Sequence, residues 1–165
     1  EELIKQGESK TLEFKSTLRW DLKEGVVNKK LEEVMLKTVS AFANSDGGGT
    51  LLIGVDDQGQ VLGLEHDYQS LGGVDRDKFE LHLRNLLNQQ FGAGFVTSKV
   101  QIRFHQLEGK DVCQVETSPA KQPVILKVKD KNGQPGEKFY VRSGNSSQEL
   151  PLSEMSTYIK ERFHS

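Results

Sequence analysis

The stretch AFANSDGGGTLLIGVDDQG, Ala41 to Gly59, constrains the fold more than any other part of the chain. A helical pattern runs into Gly47, Gly48 and Gly49, and then into an apolar run, LLIGV, that does not alternate. A short non-alternating run is a strand buried on both faces. A helix must therefore stop, turn and deliver the chain straight into a central strand. The glycines have two readings. They supply positive φ and close helix–strand packing, or their bare amides cup an anion, with Asn44, Gly47, Gly48 and Gly49 as phosphate ligands. The stretch is no P-loop, because no Gly-Lys-Ser/Thr follows. It is no dinucleotide fingerprint either, because the helix precedes the glycines and the strand follows them. Asp56 and Asp57, where the strand surfaces, are ordinary turn residues. They are also hard oxygen donors suited to Mg²⁺ or Mn²⁺, though too few on their own.

Around this centre the pattern is mixed. TLEFKS alternates as a strand, and TLRWDLKEGVVN is a connection of undetermined structure. A helix starts at Asn28 as N-cap and ends near Asn44 and Gly47. DDQG turns the chain into QVLGL, which is expected to return as the second strand of a hairpin. A second amphipathic helix spans about Asp75 to Phe91. After the break FGAGF come four strand-like runs: VTSKVQIRFHQL, KDVCQVETS, QPVILKVKD and EKFYVRSG. SEMSTYIKERF closes the chain as a helix capped by Ser153. The expected class is α+β, a mixed, mainly antiparallel sheet packed with about two to four helices.

A chain of 165 residues is the size of one domain. It opens without methionine on what reads as the end of a helix, so residues 1–165 are expected to be one domain cut from a longer protein, as its C-terminal part. No apolar run approaches the roughly 18 residues of a membrane span. The single cysteine, Cys113, excludes an internal disulfide and suits a reducing cytoplasm. His66, His82, His105 and His164 show no ligand spacing, and Trp20 is either a core anchor or an exposed contact.

A net charge of −2 argues against a generally basic nucleic-acid binder and leaves room for a local patch. From Lys121 to Arg142 the chain carries six basic residues and two acidic ones. Lys127, Lys129 and Lys131 alternate along one expected strand, and Lys138, Tyr140 and Arg142 along another. Lysines on an edge strand discourage aggregation. A basic sheet face with an aromatic also tracks a phosphate backbone while stacking a base. Glu8 and Glu13 lie five residues apart, a spacing that brings them together on neither a strand nor a helix. Only a bend between Gly7 and Thr11 would make them converge.

ESKTLEFK, KTVSAFANSDGGGTLLIGVDDQGQVLGL and FYVRSGNSSQEL, in this order, strongly resemble the Schlafen-type AlbA-like domain. Bacteria carry this domain widely, and animal Schlafen proteins build their core from it. The resemblance implies a Schlafen-like α+β fold and a nucleic-acid-binding module with a regulatory or defence role. Its partner is DNA or RNA, tRNA included, and an ATP-binding label is sometimes attached. In nucleolytic Schlafens three carboxylates form a metal-dependent site that cleaves structured RNA. Carried over, these are Glu8, Glu13 and Asp57, with Asp56 as neighbour and Mg²⁺ or Mn²⁺ as the ion. With the basic late strands, the resemblance makes Lys15, Lys127, Lys129, Lys138, Tyr140, Arg142 and Asn145 the expected nucleic-acid contacts. Two departures stand out. The segment STLRWDLKEGVVN is longer than in the family. Nucleolytic members also pair two copies into a cradle, which here would need a homodimer or the rest of the parent protein. The expected order is therefore binding module, then ribonuclease, then nucleotide-binding regulator.

Overall fold

The computed structural model describes Glu1–His164. Its centre is a four-stranded sheet in the order β1 (Leu12–Lys15), β4 (Gly49–Ile53), β6 (Lys110–Thr117), β5 (Val100–Leu107). β1 and β4 run parallel, with Phe14 level with Leu52, and the other two pairs are antiparallel. β4 is central and buried on both faces, as its lack of alternation requires. Leu51 and Ile53 enter a large cluster with Met35, Val39, Phe42, Phe79 and Leu83, while Leu52 joins Leu12, Phe14, Val55 and Val112 on the other side.

The large cluster is covered by two long helices whose starts were legible. In α2 (Lys29–Asn44) the Asn28 side chain accepts from Lys30 N at 3.0 Å. In α4 (Arg76–Phe91) Asp75 accepts from Asp77 N at 3.1 Å. Six helices are present among the described residues, which overturns the expected two to four. Two of the additions are α3 (Glu65–Ser70) and α5 (Ala93–Lys99), each under two turns and too short to show a period. α1 (Glu2–Gln6) lays Leu3 and Ile4 on the smaller cluster. α6 (Leu152–Phe163) follows Pro151 as N-cap, so Ser153 lies inside the helix and not at its cap.

Three expected strands change shape. QVLGL does not form one, and a single bridge between Val55 and Val61 remains. Gly54, at φ +102°, ends β4, and its carbonyl accepts from Leu62 N and Gly63 N. Asp56 meanwhile bonds Gln58 N and Gln60 N, so the loop closes on itself. The residues VTSK belong to α5, because Gly92 at φ +88° redirects the chain and lets Val96 N reach its carbonyl. EKFYVRSG breaks at Phe139, whose ring is buried against Tyr158. β8 (Pro135–Lys138) pairs with β7 (Leu126–Lys129), and β9 (Tyr140–Ser143) pairs with β10 (Ser146–Glu149).

The connection that sequence left open is a short hairpin, β2 (Trp20–Asp21) with β3 (Val26–Val27). Its base is fixed from α3: the buried Asp67 carboxylate accepts from Leu18 N, Arg19 N and Trp20 N at 2.7, 3.0 and 3.1 Å. Trp20 stacks on His66, with ring planes 3° apart.

Candidate nucleic-acid interface

The acidic pair does converge. Gly7 takes φ +77°, Ser9 bridges to Leu12, and Glu8 Oε2 accepts from Phe14 N at 2.9 Å, which folds Glu8 back beside Glu13. Arg142 then meets Glu13 at 2.7 Å. The Arg142 side chain is 0% exposed. It also donates to Ser9 O, Lys10 O and Ser147 Oγ, and its guanidinium lies 4.9 Å from the Phe42 ring centre. Burial holds the Glu13 carboxyl above the usual carboxylate range. Arg142 opposes that rise, and the nearby charge of Glu8 adds to it.

This arrangement does not suit Mg²⁺ or Mn²⁺. Such an ion needs several oxygens free to face it, and here an always-charged guanidinium already occupies the cation position at Glu13. Asp57 stands exposed in the loop after β4. Among the described residues no three His, Cys, Asp or Glu side chains gather within metal-binding reach.

The glycine turn is also accounted for by packing. Asn44 is fully buried, its amide donating to Val124 O and Tyr140 O and accepting from Val124 N. A Cβ on Gly49 would run into the Phe42 ring, and one on Gly48, at φ +62°, into Thr117 O. The turn stands at the carbonyl end of α2, where the helix dipole disfavours an anion. Tyr158 and Arg162 of α6 donate to those carbonyls: Tyr158 to Asn44 O at 2.7 Å, Arg162 to Ala43 O and Ser45 O at 3.3 Å.

The late basic residues separate. Lys127 and Lys129 project outward from β7 while Leu126 turns inward and Val128 is half-buried. Lys131 lies in the β7–β8 turn, not on the strand. Lys138 pairs with Glu149 at 3.6 Å, Tyr140 is half-buried, and Asn145 is exposed in the β9–β10 turn. Lys15 is largely buried; loss of hydration pushes its ammonium down to about 8, against the pull of Asp67, Glu13 and Glu32.

Two grooves meet at β7. The first, about 480 Å³, lies between α2 and the β7–β8 hairpin, where Lys129, Lys138 and Tyr140 are joined by Lys30 and Lys37. The Lys37 ammonium stands 5.7 Å from the Tyr140 ring centre. Glu33, Asp130 and Glu137 line the same groove, leaving four lysines against three carboxylates. The second, about 470 Å³, runs between the α4–α5 corner and residues 120–127, with Lys99, Lys121 and Lys127 on its walls. Sequence reasoning missed Lys30, Lys37 and Lys99 as contacts. Lys30, Val34 and Lys37 fall at helical spacing on the outer side of α2, which was a usable signal. Lys99 offered none, being read as part of a strand.

A helix-and-sheet domain with a basic strand between two grooves has the features of a nucleic-acid-binding module. The family described as Schlafen, AlbA_2 matches residues 8–151, and the chain belongs to it. The crystal structure of the DIP2311 protein from Corynebacterium diphtheriae has a similar fold, with a TM-score of 0.61 and 18% identity. The match covers 94% of this chain and 28% of that one. No curated protein matches the chain. Among the described residues no helix is long and apolar enough to cross a membrane.

Proposed function

We propose that the chain binds the backbone of DNA or RNA along β7, with Lys127 and Lys129 as the central phosphate contacts. The observation that carries this reading is that Lys127 and Lys129 are both exposed on one strand, each lining a different lysine-bearing groove. Lysines held by a strand form a fixed row of point charges, which positions a phosphate chain without reading its bases. The buried Arg142 and Lys15 play no part in contact. Arg142 instead holds β9 against the N-terminal turn. The Glu13–Arg142 pair favours binding over metal-dependent cleavage at Glu8, Glu13 and Asp57. A reducing cytoplasm suits the buried, unpaired Cys113.

The test is oligonucleotide binding by fluorescence anisotropy across a salt series. Lys127→Ala/Lys129→Ala is expected to bind at least about tenfold more weakly. Its plot of log affinity against log salt should be shallower by about 0.7 to 0.9 for each phosphate that is no longer neutralised. Unchanged affinity and slope in this surface variant would remove the reading.

A further inference from the structure

The groove between the α4–α5 corner and residues 120–127 differs from its neighbours in charge. Lys99, Lys121 and Lys127 line it with no carboxylate, whereas the neighbouring groove at α2 carries three. In a chain with more acidic than basic residues, that is a local reversal of sign. None of the three lysines forms an ion pair among the described residues. Their charge is available to an incoming anion.

The rest of the groove mixes polar side chains, Gln90, Ser98 and Gln122, with two aromatic rings. Phe91 ends α4 and Phe95 lies in α5, their ring centres 5.1 Å apart and planes at 41°. Both are half-buried and pack against the main cluster, so each ring is fixed from behind and open on its outer side. The lysine side is fixed as well. Gln90 donates to Lys127 O at 3.2 Å and accepts from Lys127 N at 2.8 Å, taking the hydrogen bonds of an absent strand neighbour. A groove of about 470 Å³ is within the range of small-molecule sites and has room for a nucleotide unit.

Resting on the proposed binding along β7, we infer that this groove is a subsite for an unpaired base and its adjoining phosphates, which makes the bound nucleic acid single-stranded. Cations on the rim follow the backbone while rings at the floor stack a base, the combination single-strand binders use. Rings recessed between helix and loop meet a base only once it has left its stack, and a duplex keeps its bases inside. The neighbouring groove at α2, with its three carboxylates, offers no comparable stacking floor beyond Tyr140.

The experiment compares a labelled single strand of about 12 nucleotides with the duplex of the same sequence, using the full chain. The single strand is expected to bind about tenfold tighter or better. Lys99→Ala/Lys121→Ala, which removes the charge of one half-buried and one exposed lysine, should lower single-strand affinity about tenfold. Phe95→Leu, which keeps apolar volume but removes the ring, should weaken the single strand several-fold and leave the duplex alone. Equal affinity for strand and duplex, or no effect of Lys99→Ala/Lys121→Ala, overturns the subsite. If Lys127→Ala/Lys129→Ala still weakens binding in that case, the role of β7 stands without it. A mononucleotide that competes at the concentration of the oligomer also overturns the subsite, in favour of a free nucleotide. No binding of any oligonucleotide overturns both readings.

Discussion

Arg142 shows how far a single side chain can depart from its expected role. Alternation with Lys138 and Tyr140 placed it on an exposed basic face. The break at Phe139 moves it to a separate strand, where its side chain is fully enclosed. No local pattern announces that break, because Phe139 reads as one more strand residue. The convergence of Glu8 and Glu13 was equally hidden, since it depends on the turn at Gly7 and not on spacing. Arg142→Ala would leave Glu13 without its counter-charge and take the guanidinium donor from Ser9 O, Lys10 O and Ser147 Oγ. We expect a loss of about 3 kcal/mol in urea denaturation. Arg142→Lys should not restore it, because an ammonium lacks the planar fork that reaches Ser9 O, Lys10 O and Glu13 together. Lys15 gives a pH-dependent outcome. Its folded value of about 8 lies below the ordinary 10.5, so below pH 8 both states are charged and the folded one bears the desolvation cost. From about 8 to 10.5 the unfolded chain binds the extra proton, and relative stability rises with pH. Lys15→Met should therefore be more stable than the parent at pH 7, by on the order of 3 kcal/mol. That gap should close as pH climbs through this window.

At the scale of elements, long periodic segments were legible and short ones were not. α2 was read with its cap and α4 to within a residue of its bounds, because sixteen residues hold several helical repeats and Asn28 is a standard N-terminal signal. α3 and α5, at six and seven residues, contain too little sequence to distinguish from loop or strand. β4 was legible for a different reason: its glycines and its lack of alternation both state that something packs on each side. Gly49 is where helix and strand touch, with the Phe42 ring directly over its Cα. Gly49→Ala is expected to cost about 2 to 3 kcal/mol by forcing that ring out of the core. Phe42→Leu should recover part of the loss. A thermal melt of the single and double variants checks both. α6 lies beyond residues 8–151, the part shared with the family, yet it donates to the last carbonyls of α2 through Tyr158 and Arg162.

Over the whole molecule, charge is organised although the total is slightly acidic. The lysines of the two grooves flank β7, while of the three acids expected to hold a metal Glu8 bonds Phe14 N, Glu13 pairs with Arg142 and Asp57 stands apart in an exposed loop. The sign reversal between Lys121 and Arg142 was visible in sequence. Its division between two grooves was not, since that needs the relation of β7 to α2 on one side and to α5 on the other. One detail of β7 has a consequence for solubility. A two-stranded ribbon ordinarily leaves a ladder of backbone donors and acceptors exposed to any copy that drifts past, the starting point of fibre growth. The Gln90 amide satisfies that ladder at its midpoint with a group too short to extend it. The same contact that steadies a lysine thus acts as a stopper against self-templating.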